Sequence, residues 1–369
     1  MLTGIRHGGD IYSRDIFLDF SVNVNPLGPP ESVKEAVRQA AEYCGLYPDI
    51  QCRRLRAALA AHYQIDEEMI VCANGAADLI YQLIFALQPH YALLPAPTFS
   101  EYRQALNAFG CRVFSVPFTR EEGFAIDVMK LIREAKKRIE QKTPPEILFL
   151  CNPNNPTGFV IGRKAMEVLA AFAEEEGIWL VVDECFMDFL EEENREEENK
   201  NSPFPENSLL PLLCRFPHMI IVKAFTKIYG MAGLRLGYGL SAAPRFMQNI
   251  SSVRQPWSVS VPAQMAGIAA LKESDYLLKT KTIVREGREQ LCKGLSRLGF
   301  LVYPSRANYL FFRDLREGAE EGMLYQHCLK EKLLLRSCAD FEGLDKSYYR
   351  VGIKTKKEND CLLRVLADA

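Results

Sequence analysis

The stretch Lys223-Ala-Phe-Thr-Lys227-Ile-Tyr-Gly230-Met-Ala-Gly233-Leu-Arg235-Leu-Gly237-Tyr238 starts inside an apolar run, Met219–Ala224, and ends among glycines. Read alone, a lysine just past a strand is ordinarily a solvated loop residue. Upstream, five more short β-rich runs occur at Met69–Ala73, Tyr91–Pro95, Cys111–Pro117, Glu146–Cys151 and Ile178–Asp183. Helical apolar spacing fills Ala76–Leu87, Phe99–Phe109, Val128–Ile139 and Lys164–Glu176 between them. Strands apolar on both faces and separated by helices predict an α/β fold whose mainly parallel sheet lies between helices. In such a sheet, polar residues just beyond the strand ends meet in one crevice.

Downstream the pattern changes to blocks. A long helical stretch, Pro262–Leu298, is expected to break near Lys272–Ser274, and β-like runs follow at Phe300–Pro304, Tyr309–Phe312 and Tyr349–Gly352, with a helix around Met323–Lys332. The N-terminal part is turn-rich at Asn23–Pro30 and helical over Glu31–Glu42. These blocks predict a large domain over 46–260 and a smaller α+β domain built from 1–45 and 261–369. The acidic run 191–200 reads as a solvated loop.

Composition narrows the function. The 369 residues carry 45 basic and 47 acidic side chains, so no overall positive field favours nucleic acid or an anionic membrane surface. The apolar runs are too short to span a bilayer, and Met1–Tyr12 lacks the apolar centre of a secretory signal. The 11 cysteines form no C-x-x-C pair, which argues against a disulfide scaffold, a zinc ribbon or another metal site and for a reducing cytoplasm.

Three signals follow successive strands: Cys151-Asn-Pro-Asn-Asn155-Pro-Thr-Gly158, Val181-Val-Asp183-Glu184, and the stretch around Lys227. The first alone is a turn. The acidic pair alone is a helix cap or a Walker-B-like carboxylate, but no G-x-x-x-x-G-K-[ST] accompanies it. Together they bring an amine, a carboxylate and an amide to one crevice, the set that pyridoxal 5′-phosphate requires. Lys227 would bond the aldehyde, Asp183 would keep the pyridine nitrogen protonated, and Asn155 would bond the phenolic oxygen. The cofactor phosphate needs backbone N–H groups at a helix start, offered at Gly75 and Ala76, and an arginine, Arg235. Thr226 could add a hydroxyl. Phe99 either stacks on the ring or packs in the core.

In this order, Asn155-Pro-Thr-Gly158, Asp183 and the lysine-to-arginine spacing resemble the fold-type-I pyridoxal-phosphate enzymes of the class I/II aminotransferase family. The resemblance runs nearly end to end. It implies catalytic roles for Lys227 and Asp183 and a cofactor site of Gly75, Ala76, Phe99, Asn155, Asp183, Thr226, Lys227 and Arg235. It also implies a homodimer in which Tyr47, in Tyr47-Pro-Asp49, reaches the partner's cofactor phosphate. At Ala224 many relatives have a hydroxyl residue on that phosphate, so this contact is missing or replaced.

Within the family the sequence is most similar to threonine-phosphate decarboxylases and histidinol-phosphate aminotransferases. In both, a phosphorylated amine meets arginines at the positions of Arg336 and Arg350, and Asn155 also faces the substrate. The opening His7-Gly-Gly9, the run Arg336–Arg350, and Phe186 in place of the aminotransferases' tyrosine resemble the decarboxylases. His7 is either a local turn residue or a contact to the substrate phosphate. The resemblance implies decarboxylation of L-threonine O-3-phosphate to (R)-1-amino-2-propanol O-2-phosphate and CO2, in cobalamin biosynthesis. The alternative is amino transfer from histidinol phosphate or another amino acid. A cofactor-binding regulator would need an added DNA-binding segment, for which the sequence shows no room.

Overall fold

The structure is a computed structural model that describes residues 7–191, 204–316 and 322–369. Most of the acidic run 191–200 therefore lies outside the described residues.

Along the chain, β1 (Leu18–Asp19) precedes α1 (Glu31–Ala40) and α2 (Arg53–Tyr63). A seven-stranded sheet is then built from β2 (Ile70–Ala73), β3 (Tyr91–Ala96), β4 (Arg112–Pro117), β5 (Ile147–Cys151), β6 (Trp179–Asp183), β7 (Met219–Ala224) and β8 (Gly237–Leu240). Their spatial order is β2-β8-β7-β6-β5-β3-β4. Only β8 runs against its neighbours, antiparallel to both β2 and β7. The crossovers are α3 (Ala76–Leu87), α4 (Ser100–Ala108), α5 (Val128–Glu140) and α6 (Arg163–Glu175). Every residue of β2, β5 and β7 is buried, as a sheet covered on both faces requires.

Two features of this part were not legible in the sequence. Gly237-Tyr-Gly-Leu240 reads as the tail of a turn, yet it is a central strand. Gly237 is needed because the backbone of α3 comes very close: a Cβ there would lie 2.6 Å from the Ala76 nitrogen. Helix α2 has no capping side chain and starts after Cys52 in the left-handed region, at φ 50°. Its buried Leu55, Leu59 and Tyr63 follow helical spacing, but arginines and alanines dilute the signal.

The remaining helices are α7 (Phe225–Ile228), α8 (Pro244–Val253), α9 (Val261–Ala270), α10 (Ser274–Arg297), α11 (Met323–Lys330) and α12 (Lys356–Ala367). The expected break of the long helical stretch falls between α9 and α10. A second, antiparallel sheet has the order β12-β13-β10-β9, from β9 (Leu301–Val302), β10 (Tyr309–Arg313), β12 (Arg336–Ser337) and β13 (Tyr348–Gly352). β1 pairs in parallel with β11 (Leu333–Leu334), so the N-terminal segment joins the C-terminal part.

Side-chain alternation at the end of the large sheet separates the charges of its two central strands. Lys223 on β7 is buried on the side away from the crevice. Its Nζ lies 2.9 Å from Asp188 Oδ1, 4.0 Å from Glu184 Oε2 and 5.7 Å from the Tyr63 ring centre. These anions outweigh the desolvation of Lys223 and hold its ammonium above the usual lysine range. Glu184 is held by Ser208 Oγ at 2.6 Å and the Leu209 N–H at 2.7 Å. Lys223→Ala would leave these carboxylates without their cation, and we expect it to lower stability by about 3 kcal/mol in urea unfolding.

Candidate active site

The carboxyl ends of β5, β6 and β7 open into one cavity lined by Asn155, Asp183 and Lys227, together with Ala76, Arg235, Arg336 and Arg350. The strand-end argument therefore places the three polar signals together. Asp183 sits at its floor, its Oδ2 accepting from the Tyr102 hydroxyl at 2.7 Å and its Oδ1 from the Cys185 N–H at 2.9 Å. Buried Tyr102 is itself fixed by stacking on Phe149, with ring centres 5.0 Å apart.

Lys227 is carried by the short helix α7. Desolvation, with Arg350 and then Arg235 adding like charge, brings its amine down to about 8. It is thus far closer to a neutral nucleophile at physiological pH than an ordinary lysine. The two lysines of Lys223-Ala-Phe-Thr-Lys227 have opposite surroundings, and only Lys227 lines the cavity.

Opposite, helix α3 begins at Gly75, which has φ +87° and supplies no capping side chain. The unfilled N-terminus faces Arg235, itself left-handed at φ 57°. A Cβ on Gly75 would lie 2.5 Å from Arg235 Nη2. Any side chain at Gly75 would fill the cradle that these N–H groups and the guanidinium form, so the residues present fit a phosphate group. Thr226 and Ala224 also line the cavity, and Ala224 brings no hydroxyl to it.

The other wall is cationic. Arg350 on β13 is 7% exposed; it donates through Nη1 to Asn155 Oδ1 at 2.5 Å and through Nη2 to the Ser21 carbonyl at 2.7 Å. Its buried Nε has no partner, and among the described residues no carboxylate pairs with it. Desolvation accordingly lowers its pKa to about 10. Arg336 pairs with Asp340 at 2.8 Å and lies over Phe341, 5.0 Å from its ring centre. His7 Nε2 stands 3.1 Å from Glu101 Oε1. Phe99 lines the cavity and meets Tyr102 edge-on, whereas Phe186 lies edge-on to Tyr309, whose hydroxyl donates to the Asn154 carbonyl at 2.7 Å. Tyr47 is not among the cavity's lining; it is 80% exposed and packs on Trp257, with ring centres 4.8 Å apart.

The profile of the family described as Aminotransferase class I and II matches residues 15–366. The chain belongs to this family. Threonine-phosphate decarboxylase of Salmonella typhimurium is 35% identical over 98% of this chain and 95% of its own. Histidinol-phosphate aminotransferase of Moorella thermoacetica is 32% identical, covering 94% of this chain and 83% of its own. Among solved structures, histidinol-phosphate aminotransferase from Clostridium acetobutylicum superposes with a TM-score of 0.84 at 28% identity, over 95% of this chain and 98% of that one.

For this class I and II family member, sequence reasoning missed two side chains that hold the site's polar groups. Tyr102 was hidden as one more aromatic in an apolar helix, although its polar tip required a partner once buried. Glu101, beside it, is a charged residue on the buried side of α4, and its local sequence gives no sign of a partner. The approach of β8 to α3 is also a condition of the phosphate cradle. Gly237→Ala is expected to push the start of α3 aside and weaken pyridoxal-phosphate affinity at least about tenfold, measured by absorbance titration of the apoprotein.

Proposed function

We propose that the protein decarboxylates L-threonine O-3-phosphate to (R)-1-amino-2-propanol O-2-phosphate and CO2, with pyridoxal 5′-phosphate as cofactor, in cobalamin biosynthesis. One observation carries the reading: a buried guanidinium without a carboxylate, Arg350, stands on the same wall as the second cation, Arg336. Together they provide sockets for the carboxylate and phosphate of one substrate. The 35% identity to a threonine-phosphate decarboxylase over nearly the whole chain supports the choice of substrate.

When bound, the cofactor supplies the electron sink for the bond that breaks at the substrate Cα. Gly75, Ala76, Thr226 and Arg235 would hold its phosphate, Asp183 would keep a proton on its ring nitrogen, and Phe99 would cover one ring face. Asn155 gives its Oδ1 to Arg350 and so has its amide N–H groups left for the phenolic oxygen. Lys227 would carry the cofactor and would then be the acid that returns a proton to the substrate Cα after CO2 has left. Arg350 fixes the carboxylate. The direction in which it holds that group decides whether CO2 or a proton is lost. Phe186, where the aminotransferases' tyrosine would donate to the phenolic oxygen, makes no such bond.

We take residues 46–260 as the cofactor-holding part and 1–45 with 261–369 as the part that brings Arg336, Arg350 and His7 to it. Exposed Tyr47 and Trp257 suit a homodimer in which Tyr47 completes the partner's phosphate site. Among the described residues no helix is long and apolar enough to cross a membrane, and the reading places the protein in the cytoplasm.

With threonine phosphate, the holoenzyme should release one CO2 per substrate consumed without any 2-oxo acid. Arg350→Gln should lower kcat/KM on the order of a hundredfold or more through the lost charge-assisted pair. Transfer of the amino group from histidinol phosphate to a 2-oxo acid, with no CO2 from threonine phosphate, would contradict the assignment and establish the aminotransferase reading.

A further inference from the structure

Glu101 is almost buried, yet it is not paired with any of the arginines of the site. It stands in the first turn of α4 at 9% exposure, and its Oε1 faces the His7 Nε2 at 3.1 Å. No described group makes a hydrogen bond of good geometry to that oxygen, and His7 is the ionisable group that faces it. His7 is half exposed and lines both the cofactor cavity and a second cavity that adjoins it through His7, Gly8 and Arg336. The contact therefore bridges the N-terminal segment and the large sheet's helices at the mouth of the site.

The segment that carries His7 is closely held. The Gly9 N–H donates to Ser21 Oγ at 2.7 Å, and Ser21 Oγ is itself bonded to Asp19 Oδ1. Gly8 has no room for a side chain, because a Cβ there would lie 2.5 Å from the Ser21 carbonyl oxygen. The same carbonyl accepts from Arg350. His7 is thus fixed relative to the arginine that the substrate carboxylate would meet.

We infer that Glu101 is a positioning residue for substrate recognition, holding His7 as an imidazolium whose free ring N–H takes an oxygen of the substrate phosphate. The inference rests on the proposed reading of the site as one for a phosphorylated amino acid. The chemistry follows from the ring. A neutral imidazole that donates one N–H to Glu101 presents a lone pair at its other nitrogen, which repels a phosphate oxygen. Only the doubly protonated ring donates to both anions. A buried carboxylate on one side is what makes that form stable on the other.

The charges that face His7 agree with this. Glu101, through its hydrogen bond and its charge, and Asp340 favour the imidazolium, while desolvation and Arg336 oppose it, and the balance raises His7 above the ordinary histidine value. Arg336 is already neutralised in part by Asp340. Without Glu101 the opposing influences of burial and Arg336 would dominate, and the ring would lose its proton at lower pH.

The test uses the holoenzyme with histidine labelled for NMR, the His7 signal being assigned by its loss in His7→Gln. Glu101→Gln should lower the His7 titration midpoint by about one pH unit. Above pH 7, where the substrate phosphate is a dianion, Glu101→Gln should raise KM for threonine phosphate about tenfold, with the larger share of the loss in KM rather than kcat. Glu101→Asp should recover part of it. In the His7→Gln background, Glu101→Gln should add no further rise in KM. An unmoved His7 midpoint in Glu101→Gln would overturn the inference, as would a KM penalty of full size in the His7→Gln background. A midpoint shift in Glu101→Gln, with wild-type enzyme that leaves threonine phosphate unconsumed, would overturn the functional reading and the phosphate half of this inference, while supporting the Glu101–His7 pairing.

Discussion

The guanidinium of Arg350 ties three distant parts of the chain to one point. It projects from β13, donates to Asn155 in the loop after β5, and donates again to Ser21 in the N-terminal segment. Burying an arginine without a carboxylate is costly. Here two neutral oxygens satisfy part of its fork, and the residue lines the cavity together with Arg336 and Arg235. The arrangement of Asn155 and the closeness of the N-terminal segment depend on where this cation stands, and its charge adds to the burial that depresses the amine of Lys227.

The large sheet supplies the complementary constraint. At the ends of β6 and β7, side chains of adjacent residues must point to opposite sides. Asp183 therefore enters the cavity while Glu184 turns back to Lys223 and Asp188, and the opposite charges of the chain are sorted into two compartments. One compartment sets a single lysine against two carboxylates and serves stability. The other is left cationic and open, although the whole chain has a net charge of −2.

Much of this was legible in the sequence because it is written in local patterns. The parallel strands are uniformly apolar, and α3, predicted over Ala76–Leu87, has those bounds in the structure. Asp183 ends β6, Asn155 and Lys227 lie just beyond β5 and β7, and strand ends in such a sheet share a crevice. What the sequence withheld depends on contacts between distant segments. Gly237 and Gly239 look like turn residues until the backbone at the start of α3 is seen against the first and the Leu79 side chain against the second. Tyr102 and Glu101 have ordinary helical neighbours, and nothing in α4 announces that Asp183 and His7, from elsewhere in the chain, will meet them. Likewise, the sequence could not distinguish the surroundings of Lys223 and Lys227, four residues apart, before the fold placed one against two carboxylates and the other beside two arginines.

The central claim is that Lys227, and not Lys223, is the amine that carries the cofactor. Borohydride reduction of the holoenzyme, followed by peptide mass spectrometry, measures this directly. The account predicts the reduced pyridoxyl-phosphate adduct on Lys227, with Lys223 unmodified. An adduct on Lys223, or on a lysine outside the cavity, would contradict it.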